Sequence, residues 1–142
     1  MTINIAIDGP AGAGKSTIAK RVAKLLNYIY VDTGAMYRAM ALYFIRKNIA
    51  PDDTLGMITH CKDALVTIEY QEDLQIVLLN GENVNALIRT EEVGNMASVC
   101  SSVKEIREHL LGLQRKLAAE KNVVMDGRDI GTFVLPNADT KI

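Results

Sequence analysis

The chain has 142 residues, of which 49% are hydrophobic and 23% are charged, and its formal net charge is -1. This length suits one folded domain, and this composition excludes a disordered chain and a broadly basic nucleic-acid-binding protein. Cys61 and Cys100 lie far apart without C-x-x-C spacing, which favours buried thiols over a disulfide framework or a zinc site. The first residues lack a positive segment, and no apolar run approaches the roughly 18 residues of a membrane span. We therefore expect a cytoplasmic protein with no nucleic-acid or membrane partner, and we take it to be a monomer.

Strands and helices are predicted to alternate in the first part of the chain. Residues 3–7 form a short β-branched run that stops at Asp8, which is typical of a buried strand entering a glycine loop. Apolar residues then recur at helical spacing at Ile18, Val22, Leu25 and Leu26. Residues 28–32 predict a second strand, and Thr33 is expected to cap the helix that follows. The apolar positions of that helix are Met36, Met40 and Phe44.

The rest of the chain departs from this alternation. Residues 64–70 and 74–79 alternate like two strands, and Asn80-Gly81 follows them, so we expect a small antiparallel insert. A long helix with a core-facing stripe is predicted from residue 103, with apolar residues at Val103, Ile106, Leu110, Leu113 and Leu117. Residues 123–125 predict a buried strand, and another strand begins near residue 140. Ending there would leave a parallel sheet with an apolar edge, so we expect a truncated form of a longer domain.

The loop after the first strand carries a phosphate-binding motif. Its residues are Gly9, Pro10, Ala11, Gly12, Ala13, Gly14, Lys15 and Ser16. Glycines let consecutive N–H groups point at a polyphosphate, and the helix that follows adds the positive end of its dipole. Lys15 is expected to reach the β- and γ-phosphates of ATP, and Ser16 to bind Mg²⁺ directly, with Thr17 a weaker candidate. A glycine turn that merely caps a helix is the structural alternative.

Two acids qualify as partners of the magnesium ion. Asp32 and Asp126 each end an apolar strand, where a Walker-B-like carboxylate could orient water on Mg²⁺. Each could instead cap a helix or lie in a solvated loop. For Asp32 the two interpretations are evenly balanced, because a helix begins directly after it.

Arginines indicate what accepts the phosphoryl group. A phosphate acceptor is anionic near neutral pH and must approach the γ-phosphate against repulsion, which forked guanidinium groups relieve. Arg38 and Arg128 follow predicted strands, close to the carboxyl ends where α/β proteins bind ligands. Arg107 on its helix would ordinarily be a solvated surface charge. An ionised phosphate needs no general base, whereas a hydroxyl acceptor would need one.

Three segments together resemble the bacterial cytidylate kinases. They are residues 7–16, residues 32–38 and residues 126–132, in the order and spacing of that family. The resemblance covers essentially the whole chain and implies a P-loop NTPase-type fold, a three-layer α/β/α arrangement with a parallel sheet plus a small antiparallel β insert. It implies one kinase core over residues 1–142, with a nucleoside-monophosphate-binding insert at residues 62–101. It also implies that the chain lacks the family's lid segment, so turnover by the chain alone is expected to be low.

The resemblance also assigns roles to individual residues. It implies that Arg38 and Arg128 hold the phosphate of CMP, that Ser98, Arg107 and Asp129 contact the cytosine, and that the Thr33 hydroxyl contacts the acceptor. The cytosine N4 donor suits the Asp129 carboxylate, and its O2 and N3 acceptors suit a guanidinium. Lys15, Arg38 and Arg128 are thus the predicted catalytic residues, with ATP, Mg²⁺ and CMP or dCMP as ligands.

Two other functions remain open at this point. A nucleotide-dependent switch would keep the phosphate loop without the acceptor arginines, but the chain has no N-K-x-D segment for guanine. A kinase of a hydroxylated metabolite would use Asp32 or Asp129 as a base. The arginines favour an enzyme with a phosphate acceptor, and the resemblance implies that this enzyme transfers the γ-phosphoryl group of ATP to CMP or dCMP.

Overall fold

Strands and helices alternate at the start of the chain, as the hydrophobic pattern predicts. The computed structural model describes residues 4–8, 15–26, 28–71, 74–120, 123–127 and 140–141. The first four elements are β1 (Asn4–Asp8), α1 (Lys15–Leu26), β2 (Ile29–Asp32) and α2 (Thr33–Arg46). The remaining elements are α3 (Thr54–His60), β3 (Val66–Gln71), β4 (Leu74–Leu79), β5 (Glu82–Asn83), α4 (Glu91–Cys100), α5 (Lys104–Glu120), β6 (Val123–Gly127) and β7 (Thr140–Lys141).

The chain divides into two compact units, Met1–Thr33 with Gln114–Ile142, and Gly34–Leu113. The first unit contains a parallel sheet with the strand order β2-β6-β1-β7. Val123, Val124 and Met125 of β6 are completely buried, as is typical of a central parallel strand covered on both faces. The parallel sheet and the separate antiparallel sheet of the second unit confirm the predicted α/β class.

Helix α1 forms where the sequence predicts it, but its predicted apolar residues are not its buried face. Ala19 and Ala23 are buried, whereas Ile18 is 50% exposed and Leu25 is 85% exposed. The helix packs against β2 and β6. Small side chains on the packed face let a helix backbone lie close to a sheet, which spacing of large apolar residues alone does not reveal.

The second unit contains the predicted antiparallel insert. Strands β3 and β4 pair antiparallel over their whole length, and β5 pairs with the end of β4. Asn80 and Gly81 connect β4 to β5 with φ angles of 50° and 85°, the left-handed conformation that these two residue types adopt most readily. In α2 the predicted positions Met36, Met40 and Phe44 are all completely buried.

Helix α5 has its predicted extent but a slightly different buried stripe. Val103, Ile106 and Leu110 are buried as expected. Leu113 and Leu117 are only half-buried, and Gln114 is buried at 3% exposure instead. Position 114 is four residues after Leu110 and therefore lies on the same face of the helix. A search for apolar residues alone does not find it, because the residue there is a glutamine. Within the described residues no helix combines the length and the apolar character that crossing a membrane requires.

Candidate active site

The predicted phosphate loop is flanked by the strand and the helix that its motif requires. Strand β1 ends at Asp8, and α1 begins at Lys15, which places Lys15 and Ser16 in the first turn of the helix. The first turn of α1 contains no acidic residue that would compete with an anionic ligand. Residues 9–14, which include the predicted loop glycines, lie outside the described residues. The helix start supplies free N–H groups and a positive dipole end, which together favour phosphate.

The two candidate magnesium acids are neighbours in the backbone register at the carboxyl edge of the parallel sheet. Asp32 of β2 and Asp126 of β6 are register partners, and Asp126 also pairs with Ile7 of β1. Mg²⁺ usually keeps several waters and binds one or two carboxylates together with substrate phosphates. The part of the chain that the structure describes contains no cluster of three or more His, Cys, Asp or Glu residues able to hold a metal. The register thus brings the backbone of both predicted magnesium acids to the same edge of the sheet.

The position of Asp32 is compatible with both of its predicted roles, an acid that orients water on Mg²⁺ and a helix N-cap. It is the last residue of β2, and α2 begins at the next residue, so it occupies the position of a helix N-cap. It is half-buried and takes part in an interaction within the protein. Thr33 is 5% exposed and also has an interaction partner, which fits a buried hydroxyl at a helix start.

Arg38 lies in the second unit and has no acidic partner among the described residues. Its side chain is half-buried, and Nη1 donates a hydrogen bond of 2.9 Å to the carbonyl oxygen of Ile88. Among the described residues the salt bridges join Arg46 to Glu82 and Lys104 to Glu108, and none involves Arg38. A guanidinium carries five N–H donors, so the bond to Ile88 leaves capacity for an anionic ligand.

Arg46, on the same helix, differs from Arg38 because it has a carboxylate partner. Arg46 binds Glu82 through both terminal nitrogens, at 2.7 and 3.0 Å, in a bidentate pair on the surface. That geometry is the usual arrangement of an arginine fork with a carboxylate. Arg38 instead donates to a neutral carbonyl, and no carboxylate among the described residues compensates its charge.

The predicted base-contacting residues Ser98 and Arg107 belong to this same unit. Ser98 is exposed on α4, and its hydroxyl donates a hydrogen bond of 3.2 Å to the Gly94 carbonyl oxygen. Arg107 is exposed on α5 and has an interaction partner within the protein. Burial raises the pKa of the Tyr37 phenol, and the nearby Arg107 charge acts in the opposite direction. Tyr37 of α2 therefore lies within electrostatic range of Arg107 of α5.

Two contributors to this arrangement, Gly94 and the Ile88 carbonyl, are not among the residues predicted from the sequence. Gly94 lies directly beside the Arg38 guanidinium, and the Ile88 carbonyl accepts a bond from it. No sequence pattern predicts either of them. A glycine in a helix and a backbone carbonyl acquire a role here only because they contact Arg38, which is distant from them in the sequence. The remaining predicted ligands, Arg128 and Asp129, lie outside the described residues.

Cys100, at the end of α4, should be unreactive in the folded protein. Burial raises the pKa of its thiol to about 12, so the thiolate is scarce well into alkaline pH. Because the folded pKa exceeds the unfolded value, this thiol's contribution to stability is present below about pH 8.5 and is lost as pH rises toward 12. We expect iodoacetamide at about pH 8 to alkylate Cys100 at least about 100-fold more slowly in the folded than in the urea-unfolded chain. Peptide mapping by mass spectrometry measures this rate, and similar rates in both states would contradict it.

The sequence of this chain is similar to those of known cytidylate kinases. The sequence profile of the family described as cytidylate kinase matches residues 5–142. The cytidylate kinase of Geobacillus sp. (strain WCH70) is 50% identical over 140 residues, which are 99% of this chain and 62% of that protein. The cytidylate kinase of Caldicellulosiruptor bescii is 51% identical over 140 residues, with the same coverage of 99% and 62%. That of Geobacter sp. (strain M21) is 47% identical over 137 residues, 96% of this chain and 59% of that protein.

The matches extend through both units of the structure and all three motifs. The chain spans about three fifths of the length of the curated relatives it matches, 62% of the first of them. The phosphate-loop flanks, the paired acids and the Arg38 environment all fall within the matched residues 5–142. On this evidence the chain belongs to the cytidylate kinase family.

Proposed function

We propose that the protein transfers the γ-phosphoryl group of ATP to CMP or dCMP, giving ADP and CDP or dCDP. The observation that carries this proposal is the environment of Arg38, a half-buried guanidinium without a described carboxylate partner, in the same unit as Ser98 and Arg107. An arginine in that state is suited to a phosphate ligand. The names of the relatives give the same reaction class, since each is a cytidylate kinase.

On the donor side, the first turn of α1 would hold the triphosphate of ATP. Its N–H groups and dipole attract the phosphates, and Lys15 would neutralise charge on the β- and γ-phosphates. When bound, Mg²⁺ supplies charge neutralisation on those phosphates during transfer. Ser16 would hold the ion directly, and Asp32 and Asp126 would orient its water ligands.

On the acceptor side, Arg38 and Arg128 would hold the CMP phosphate against the repulsion of the γ-phosphate. The acceptor oxygen is already ionised near neutral pH, so the reaction needs positioning and charge stabilisation rather than a general base. The in-line attack forms one P–O bond to the CMP phosphate as the bond to ADP breaks. We include residues 62–101 in this acceptor site as its nucleotide-binding insert, because Ile88, Gly94 and Ser98 all lie within that range.

Base recognition would fall to Ser98, Arg107 and Asp129. The exposed guanidinium of Arg107 in the second unit matches the O2 and N3 acceptors of cytosine, and the Ser98 hydroxyl oxygen, which donates its proton to the Gly94 carbonyl, has acceptor capacity for the base. A carboxylate at Asp129 would accept from N4, where uracil has a carbonyl oxygen instead. Since a buried polar group left unpaired costs about 1 to 3 kcal/mol, this set favours CMP over UMP. The use of ATP and CMP or dCMP as substrates agrees with a cytoplasmic location of the protein.

Identification of the products tests the reaction directly. The full-length protein is incubated with ATP, Mg²⁺ and CMP, and nucleotides are separated and quantified, with a parallel mixture that lacks CMP. We expect ADP and CDP in equal amounts and almost no ADP without the acceptor. ADP release that is independent of CMP would point to a nucleotide hydrolase or switch. Turnover with a hydroxylated metabolite but not with CMP would point to a different kinase.

A further inference from the structure

Gly94 of α4 brings the helix backbone against the Arg38 guanidinium. A β-carbon at this position would lie 3.3 Å from Nη2, 3.4 Å from Nη1 and 3.6 Å from Cζ of Arg38. All three nearest atoms are guanidinium atoms, so the charged group of Arg38 lies in the space that a side chain at this position would need. Glycine within a helix is destabilising relative to alanine, yet here its missing side chain makes room for a functional group.

The guanidinium is also held by the segment that leads into α4. The carbonyl oxygen of Ile88 accepts its 2.9 Å hydrogen bond, and the Ile88 side chain is completely buried. Thr90 caps α4, accepting a bond from the Val93 N–H group, and Val93 itself is buried. The carbonyl and the glycine are thus both fixed to a buried framework. We call the Ile88 carbonyl and the Gly94 backbone the guanidinium seat.

Gly94 is also connected to the predicted base-contacting side of the site. Its carbonyl oxygen accepts the 3.2 Å hydrogen bond from the Ser98 hydroxyl, one turn later in α4. One residue therefore contacts both a predicted phosphate ligand and a predicted base ligand. A shift of α4 or of Arg38 at this point would change the distance between those two ligands.

A methyl group at Gly94 would displace the guanidinium by a few tenths of an ångström. The arginine side chain is flexible and could make that movement without unfolding the helix. The movement would however strain the 2.9 Å bond to Ile88 and misalign the remaining donors. Small misplacements of groups that position reacting atoms reduce catalysis strongly.

We propose that Gly94 is a positioning residue for the acceptor: the absence of its side chain lets Arg38 lie in the guanidinium seat and face the phosphate of the nucleoside monophosphate. This inference rests on the proposed function, in which Arg38 holds that phosphate. It predicts that substitution of Gly94 affects use of CMP and leaves use of ATP unchanged.

The test is Gly94→Ala in the full-length protein, with Gly112→Ala as the matched control. Gly112 is likewise a helical glycine, within α5, but nothing lies within 4 Å of a β-carbon built on it. Both changes favour the helix intrinsically, and only the first meets Arg38. We expect Gly94→Ala to raise the KM for CMP about tenfold, with the KM for ATP unchanged and the melting temperature unchanged or higher. Gly112→Ala should leave both KM values as they are.

A double-variant cycle separates this inference from the proposed function. In an Arg38→Ala background, Gly94→Ala should have little further effect on the KM for CMP, because the group it displaces is gone. If Arg38→Ala itself leaves CMP use unchanged, the proposed role of Arg38 fails. If Arg38→Ala impairs CMP use but Gly94→Ala behaves like Gly112→Ala, only the positioning role fails. Equal loss for CMP and ATP, or an undiminished effect without Arg38, would also overturn the positioning role.

Discussion

Replacement of Lys15 by alanine should lower kcat by about 100- to 1,000-fold with any phosphate acceptor. Lys15 begins α1, at the end of the predicted phosphate loop, where an ammonium group can reach the β- and γ-phosphates. Charge develops on those oxygens as the P–O bond breaks, so in its proposed role the lysine would stabilise the transition state more than it stabilises bound ATP. The loss should therefore appear in kcat more than in the KM for ATP.

Lys24→Ala is the control for that experiment. Lys24 is an exposed lysine in the last turn of the same helix, far along the axis from the helix start. The Lys24→Ala substitution changes the net charge by the same amount as Lys15→Ala, but it removes no group from the start of α1, where the phosphates are proposed to bind. Initial rates of ADP release at saturating ATP and CMP measure the effect. A Lys15→Ala variant with near wild-type kcat would contradict the role assigned to this residue.

Replacement of Arg38 by alanine should lower kcat/KM for CMP by about 10- to 100-fold, since a charge-assisted hydrogen bond contributes about 1.5 to 3 kcal/mol. Arg38→Lys should recover only part of this loss, because an ammonium group lacks the planar fork. The KM for ATP should change little. Initial rates at varied CMP, with ATP saturating, give the comparison.

Arg46→Ala controls for loss of an arginine from the same helix. Arg46 is already paired with Glu82 on the surface, so its removal takes away a bidentate ion pair and no predicted ligand. Exposed ion pairs contribute little to stability, so this variant should remain folded and active. If Arg46→Ala and Arg38→Ala affect CMP use equally, Arg38 has no special relation to the acceptor.

Hydrophobic periodicity predicts most of the described elements, but it does not predict the helices α3 and α4 or the short strand β5. The β-branched runs became β1, β2 and β6, and the alternating segments became the β3–β4 hairpin. Periodicity was less informative about which helix face is buried. In α1 the buried positions are Ala19 and Ala23, because close approach to a sheet favours small side chains, and the larger Leu25 is exposed.

The motifs predict a set of site residues but not the contacts that hold those residues in place. Asp32 and Asp126 are predicted as site residues because each ends an apolar strand, and parallel pairing makes them register partners. The contact between Arg38 and Ile88 joins residues 50 positions apart, which no local pattern encodes. Gly94 and Gly112 look alike in sequence as glycines inside helices, and only the tertiary structure distinguishes the one that faces a guanidinium.

Acceptor choice tests the central claim most directly. The measurement is kcat/KM for CMP, dCMP and UMP with the full-length protein, from ADP release at saturating ATP and Mg²⁺. A site in which Ser98, Arg107 and Asp129 contact the cytosine predicts a preference for CMP and dCMP over UMP of at least about tenfold, since each mispaired polar group costs about 1 to 3 kcal/mol. Equal values for CMP and UMP would contradict it.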